Sequence, residues 1–253
     1  MKKLKITSVK AKAGDSAFLI DDGKSSFLYD TGFAFSGEEI SNNIKTILGE
    51  RPLDYIFLTH SHYDHALATP YILKVFPHAL VVAGEYTKTI FEKPTARARM
   101  MDLDRKAALS FGILDYEDLS DYLKVDITVS DGDIITVGDV KIKAIHLPGH
   151  TKCSFGYYIE EEKILLSSET LGVYDGDKNI IPSFLVGYRM TLESIDKATD
   201  LDVESLLIPH FGILDEEKTR FYLDNAKKSA VDTCRTIASI LKFGARRKKL
   251  LKL

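Results

Sequence analysis

Thr59-His60-Ser61-His62-Tyr63-Asp64-His65 decides how the rest of this chain is read. Three imidazoles and a carboxylate fall within six residues, directly after the apolar run Tyr55-Ile56-Phe57-Leu58. That run follows Arg51-Pro52 and is too short for a helix, so it reads as a buried strand. The cluster therefore sits at the C-terminal end of a strand, where layered α/β folds place their sites. Neutral imidazole and carboxylate together suit zinc, iron or manganese. Alternate residues of an extended segment point the same way. His60 and His62 then face one position, while Asp64 and His65 turn towards a neighbouring one. The competing reading is a polar loop that happens to be rich in His. Against it, three of the seven histidines of the chain are packed into this one stretch.

Three further stretches extend the pattern. Pro148-Gly149-His150-Thr151, Ser167-Ser168-Glu169-Thr170 and Pro209-His210-Phe211-Gly212 each follow a segment that reads as a strand. His-x-His-x-Asp-His followed in order by these three stretches resembles the signature of the metallo-β-lactamase superfamily. The resemblance runs from residue 60 to 210 and implies a four-layer αββα sandwich of the α/β class. It implies His60, His62 and His150 as ligands of a first metal. Asp64, His65 and His210 would hold a second, and residue 169 would bridge the two. Zinc is the expected ion, with iron or manganese as alternatives. The family usually has Asp at the bridging position, and Glu169 is one methylene longer. Metal–oxygen distances near 2.0–2.2 Å tolerate errors of only tenths of an ångström. Glu169 is thus expected to bridge with altered geometry, ahead of binding one metal or none. Asp30-Thr31-Gly32 would buttress the site in such a protein, although a turn alone explains it.

The implied chemistry is hydrolysis by a metal-bound hydroxide, with one metal polarising the substrate oxygen. Asp64 would orient the nucleophile and pass a proton to the leaving group. Fold does not choose the substrate. A small acyl substrate, thioester or lactone, fits the single compact chain. The alternatives are a mononuclear iron protein resembling persulfide dioxygenases, a phosphodiesterase, and a binding protein that has lost turnover. Tyr63 reads as packing, Cys153 as a small buried apolar residue, His78 as surface and His146 as structural.

Composition bounds these readings. The chain has 253 residues, 45% hydrophobic and 28% charged, with a net charge of −3. It is read as one soluble domain, 1–253, large enough to bury a core. The charge balance argues against nucleic acid or membrane as a partner. A small molecule is the expected partner, with a homodimer left open. Two cysteines make no disulfide framework. The start, Met1-Lys2-Lys3-Leu4, has no apolar stretch of a leader peptide behind it, so a cytoplasmic location is expected.

The local pattern supplies the elements. Ala17–Ile20 and Phe27–Tyr29 flank Asp21-Asp22-Gly23-Lys24 as a hairpin. Ser36-Gly37-Glu38-Glu39 reads as a capping box for a helix ending at Gly49. A helix over 66–76 must take Pro70 in its first turn. Residues 85–124, with a helix from Pro94 to about Phe111, read as a lid or as an ordinary covering helix. Arg97, Arg99 and Arg105 on it could receive an anionic group. Strands fill 125–169, and 171–187 reads as a loop near the site. A helix over 188–200, a strand at 206–208 and a long C-terminal helix over 215–242 complete the chain. Its basic tail from Ala245 to Leu250 is read as a solvated, frayed end.

Overall fold

The structure is a computed structural model that describes residues 4–250, with side chains described as far as residue 242. The leader-peptide reading rests partly on Met1–Lys3, which lie outside the described residues. Two six-stranded sheets lie face to face. The first comprises β1 (Lys5–Ser8), β2 (Phe18–Asp21), β3 (Ser26–Tyr29), β4 (Tyr55–Phe57), β5 (Leu80–Gly84) and β6 (Ile127–Val129), in that spatial order. Its first three strands are antiparallel and β3 to β6 run parallel. The second comprises β7 (Ile134–Val137), β8 (Val140–His146), β9 (Phe155–Ile159), β10 (Ile164–Leu166), β13 (Ser205–Ile208) and β14 (Gly212–Leu214). Its order is β14-β13-β10-β9-β8-β7, and only β10 and β13 pair in parallel. A small pair, β11 (Val173–Tyr174) and β12 (Ile180–Ile181), lies apart.

Alternation along the strands sorts side chains into three apolar layers. On β2, Leu19 faces outward to the helices while Phe18 and Ile20 face the other sheet. On β4, Ile56 and Phe57 divide in the same way. On β13, Leu207 enters the inter-sheet core while Leu206 and Ile208 meet the second helical layer. Helices α1 (Gly37–Leu48) and α3 (Thr69–Val75) cover the first sheet. Helices α6 (Tyr188–Thr199) and α7 (Glu216–Leu250) cover the second through Ile195, Ala198, Leu223, Ala226 and Ala230. The architecture is the four-layer αββα sandwich that the resemblance implies.

Several local expectations change. Ser36 stands at the N-cap position of α1 but makes no side-chain cap: residues 34–36 already form a 3-10 turn, and Ser36 is helical at φ −94° and ψ −10°. The turn is held by the buried Asp104 carboxylate, which accepts from Ala34 N at 2.9 Å. Gly49 does end α1, at φ +62°. The expected 66–76 helix is the shorter α3, with Pro70 in its first turn, and a separate turn, α2 (Tyr63–Ala66), precedes it. Helices α4 (Glu85–Phe91) and α5 (Pro94–Ser110) bury Phe91, Met100 and Met101 in the core beneath α1 and α3. The arginines of α5 are engaged locally: Arg97 with Asp121 and Phe91 O, Arg99 with Asp102, Arg105 with Asp118. They are not gathered for an anion. Helix α7 continues to Leu250 rather than stopping near 242. Along it Ala230 is buried, whereas Ile237 and Leu241 are exposed. No helix among the described residues is long and apolar enough to cross a membrane.

Candidate metal centre

The sandwich brings all seven expected ligand residues to one edge. The His60–His65 stretch follows β4 of the first sheet. His150 follows β8, Glu169 follows β10 and His210 follows β13, all of the second sheet. His60, His62, His150 and Glu169 offer one group of ligand atoms, all within 4.8 Å of one another. Asp64, His65 and His210 offer a second group at the same closeness. The extended segment through His62 (φ −72°, ψ 152°) sends His60 and His62 to the first group. The helical turn of α2 then rotates Asp64 and His65 towards the second.

Local packing fixes each imidazole. The carboxylate of Asp30 only accepts, so the Thr59 hydroxyl donates to it, at 3.0 and 3.1 Å. Thr59 Oγ1 must then accept the Nδ1–H of His60, 2.9 Å away. That leaves the lone pair of His60 on Nε2. Asp30 Oδ2 also takes the Nδ1–H of His65 at 2.7 Å, freeing His65 Nε2. His150 Nδ1 lies 2.9 Å from Ser183 O and 2.7 Å from its Oγ, which leaves Nε2 for the site. His62 turns Nδ1 inward instead, 3.0 Å from His150 Nε2. Such partners set which nitrogen of a ligating His is free.

The free nitrogens crowd one another. His65 Nε2 and His210 Nε2 stand 3.1 Å apart. His60 Nε2 is buried without any hydrogen-bond partner. Nitrogens this close share either a proton or a metal ion. Two nitrogens on one tetrahedral zinc stand roughly 3.3 Å apart, given bonds of about 2.0–2.1 Å, so the spacing fits a metal of that size. Glu169 spans both groups. Its Oε2 lies 2.7 Å from His150 Nε2 and 3.7 Å from His65 Nε2, and its Oε1 lies 3.3 Å from His210 Nε2. Asp64 Oδ2 is 3.8 Å from His210 Nε2 and 4.0 Å from His65 Nε2. The residues present therefore form two adjoining groups of metal-ligand atoms.

The electrostatics separate two neutral imidazoles from one that favours its charge. Burial, and then the neighbouring His65, His62 and His150, push His60 well below the usual imidazole range. Burial and His150 push His62 down to about 4. Both are neutral near pH 7 and present lone pairs. Burial also disfavours a charge on His65, yet Asp30 and Asp64 outweigh it and hold its pKa well up. Burial works against the Glu169 charge, but His150, His210 and His65 outweigh it and keep the carboxyl ionised.

Backbone geometry completes the site. Gly149, at φ +143°, lies against Thr191 where a Cβ would stand 2.8 Å from backbone atoms. Its carbonyl accepts from Val186 N at 2.9 Å and Gly187 N at 3.2 Å. The 171–187 segment thus does lie beside the site. Tyr157 donates to Leu58 O at 2.7 Å, and Tyr29 donates to Ser167 O, each two residues before a site residue.

The remaining candidates belong to neither ligand group. Tyr63 packs its ring 5.7 Å from Phe33. Cys153 is buried among the Ser61 and Thr151 hydroxyls. His78 is exposed. His146 is taken up by Lys152 O at 3.0 Å and the Phe155 ring. Asp30 is more than a turn, because it governs two histidines at once. Its signal was a carboxylate directly after a strand, but Thr59 and Ser183 carry none.

The model of the metallo-β-lactamase superfamily matches residues 14–210, well over half of the chain. Among curated relatives, the metallo-β-lactamase fold-containing protein ST1585 of Sulfurisphaera tokodaii is 26% identical over 182 residues, 69% of this chain and 67% of its own. The acyl-coenzyme A thioesterase MBLAC2 of Gallus gallus is 26% identical over 205 residues, 76% of this chain and 71% of its own. A probable hydroxyacylglutathione hydrolase, glo2 of Schizosaccharomyces pombe, is 27% identical, but over only 50% of this chain and 37% of its own. The crystal structure of ST1585 superposes with a TM-score of 0.69 at 19% identity, covering 90% of this chain and 86% of that one. With the ordered histidine motifs, the sandwich and the family match in agreement, the chain belongs to the metallo-β-lactamase superfamily.

Proposed function

We propose that this chain is a metal-dependent hydrolase of small acyl substrates, thioesters before lactones, working with two divalent cations, zinc ahead of iron or manganese. One observation carries the two-cation reading: the oxygens of Glu169 divide between His150 on one side and His210 on the other. A carboxylate so placed would join two ions. His60, His62 and His150 would hold the first ion, and Asp64, His65 and His210 the second. When bound, such ions supply Lewis acidity towards an acyl oxygen and a water that ionises near neutral pH.

The chain's own residues do the rest. Asp30 keeps His60 and His65 in the tautomers that present Nε2. Glu169 brings negative charge to the middle of the site, offsetting the cations. Asp64 is partly open to solvent, with 21% of its side chain exposed. It is the carboxylate placed to take a proton from an attacking water and pass it to the departing thiol or alcohol. The thioester preference draws support from the acyl-coenzyme A thioesterase among the relatives, which aligns over most of both chains.

Elemental analysis of protein purified without added metal tests the reading, followed by a panel of acyl thioesters, lactones and phosphodiesters. About two equivalents of metal and turnover of a thioester are expected. A chain that takes up no metal even after anaerobic reconstitution would overturn the hydrolase reading. One equivalent of iron with no hydrolysis would point instead to sulfur oxidation.

A further inference from the structure

We infer that Lys10 is the positioning residue for His210 and sets the affinity of the second cation, a role that rests on the two-cation reading above. Three of the other four imidazoles are oriented through a ring nitrogen: His60 by Thr59, His65 by Asp30 and His150 by Ser183. His210 is not, because its Nδ1 is buried without a hydrogen-bond partner. Its orientation comes through the backbone.

That backbone is unusual. His210 has φ +64°, in the left-handed region that non-glycine residues rarely adopt. It sits in the tight connection between β13 and β14, where Phe211 N turns back to Pro209 O at 2.7 Å. Such a conformation persists only when its surroundings hold it. The carbonyl of His210 is held by Lys10 Nζ at 2.6 Å, from 200 residues earlier in the chain. Lys10 follows β1, an edge strand of the first sheet, and His210 precedes β14, an edge strand of the second. The ring of Phe18 steadies the lysine, with Nζ 5.4 Å from its centroid, and the same ring faces Gly212. A charged donor locked on this carbonyl keeps the peptide from rotating and the imidazole aimed at His65 and Glu169.

A bare charge effect would have the opposite sign. An ammonium near the site repels a cation, so its removal alone would tighten metal binding. A positioning role makes removal weaken it.

The test is zinc titration of the metal-stripped full chain by chelator competition, comparing wild type with Lys10→Met, Lys10→Arg, His210→Ala and the Lys10→Met/His210→Ala double variant. Lys10→Met should weaken the second zinc equivalent by about 10–100-fold, the usual effect of losing a partner that orients a ligand. The first equivalent should not change, and Lys10→Arg should restore the second. In the His210→Ala background Lys10→Met should add nothing. A second equivalent that is unchanged or tighter in Lys10→Met overturns the proposal, as does a further loss in the double variant. Wild type that takes a single equivalent overturns the two-cation reading as well, and its own curve shows which has failed. Should Lys10→Met not fold, Lys10→Ala also removes the donor, and the same comparisons apply.

Discussion

The carboxylate of Asp30 lies 2.7 Å from Nδ1 of His65, and through Thr59 it governs His60 as well. Asp30 is fully buried and itself left-handed, at φ +54°. Asn tolerates that conformation, so Asp30→Asn isolates charge and acceptor capacity from backbone strain. One oxygen cannot serve His65, Thr59 and Ser16 together. The variant is expected to lose about 10–100-fold in zinc affinity and about 2–4 kcal/mol of stability, since a buried charge-assisted network is broken. Chelator competition and urea unfolding measure the two.

Glu169→Asp restores the family's usual residue on a backbone set for Glu. Its carboxylate retracts by about 1.5 Å, one carbon–carbon bond, against a tolerance of about 0.2 Å for metal ligands. It should keep one side of the span and lose the other. The expected result is one tightly held zinc instead of two, with thioester turnover down by about 100-fold or more, roughly the loss of one strong transition-state interaction. Equal metal content in the two proteins would contradict the spanning role.

Gly149→Ala should be among the most damaging small substitutions. Its φ of +143° disfavours any side chain, and the new Cβ would stand 2.8 Å from Thr191 N and Cα and collide with the Thr191 hydroxyl. The peptide before His150 must shift. A loss of about 3 kcal/mol or more and of the first zinc equivalent is expected, read by thermal unfolding and metal analysis. Gly132→Ala, where a Cβ meets nothing within 4 Å, is the control for positive φ alone.

Asp104 gives the stability a pH dependence away from the metal centre. Burial pushes its pKa up to about 6, although Tyr116 and the Ala34 and Phe35 amides favour the charge. The unfolded chain titrates near 3.9. Between about 4 and 6 the native state holds the extra proton, so stability falls as pH rises through that window and levels off above it. The cost at neutral pH is on the order of 3 kcal/mol. Asp104→Asn keeps an acceptor for Ala34 N and can donate to the Tyr116 oxygen. Its unfolding free energy relative to wild type should therefore improve from pH 4 to pH 7. Parallel curves for the two proteins would remove Asp104 as the cause.

The ligand set was legible because its chemistry is written in residue types: few sequences place His60, His62, Asp64, His65, His150 and His210 at successive strand ends by accident. The layers were legible because strands such as β8 and β13 alternate or run apolar between turn signals. What escaped depends on partners distant in sequence. Ser36 carries a capping pattern, yet Asp104, about 70 residues away, claims the turn before it. Asp30 reads as a turn until Thr59 and His65 are folded against it. β14 is three residues long and has no periodicity to detect. The arginines of α5 advertised an anion site, but Asp102, Asp118 and Asp121 in the same segment already answer them.

The two sheets contribute unequally to the edge they share: the first supplies the His60–His65 stretch, the second His150, Glu169 and His210. Ions lodged there would act as removable cross-links between sheets, closing chain loops of roughly 90 and 150 residues whose freedom in the unfolded state is thereby cut. Metal uptake and resistance to proteolysis then become two views of a single equilibrium. A chelator added to the folded chain would loosen the seam between the sheets from its metal-bearing edge inward, before either helical layer lets go.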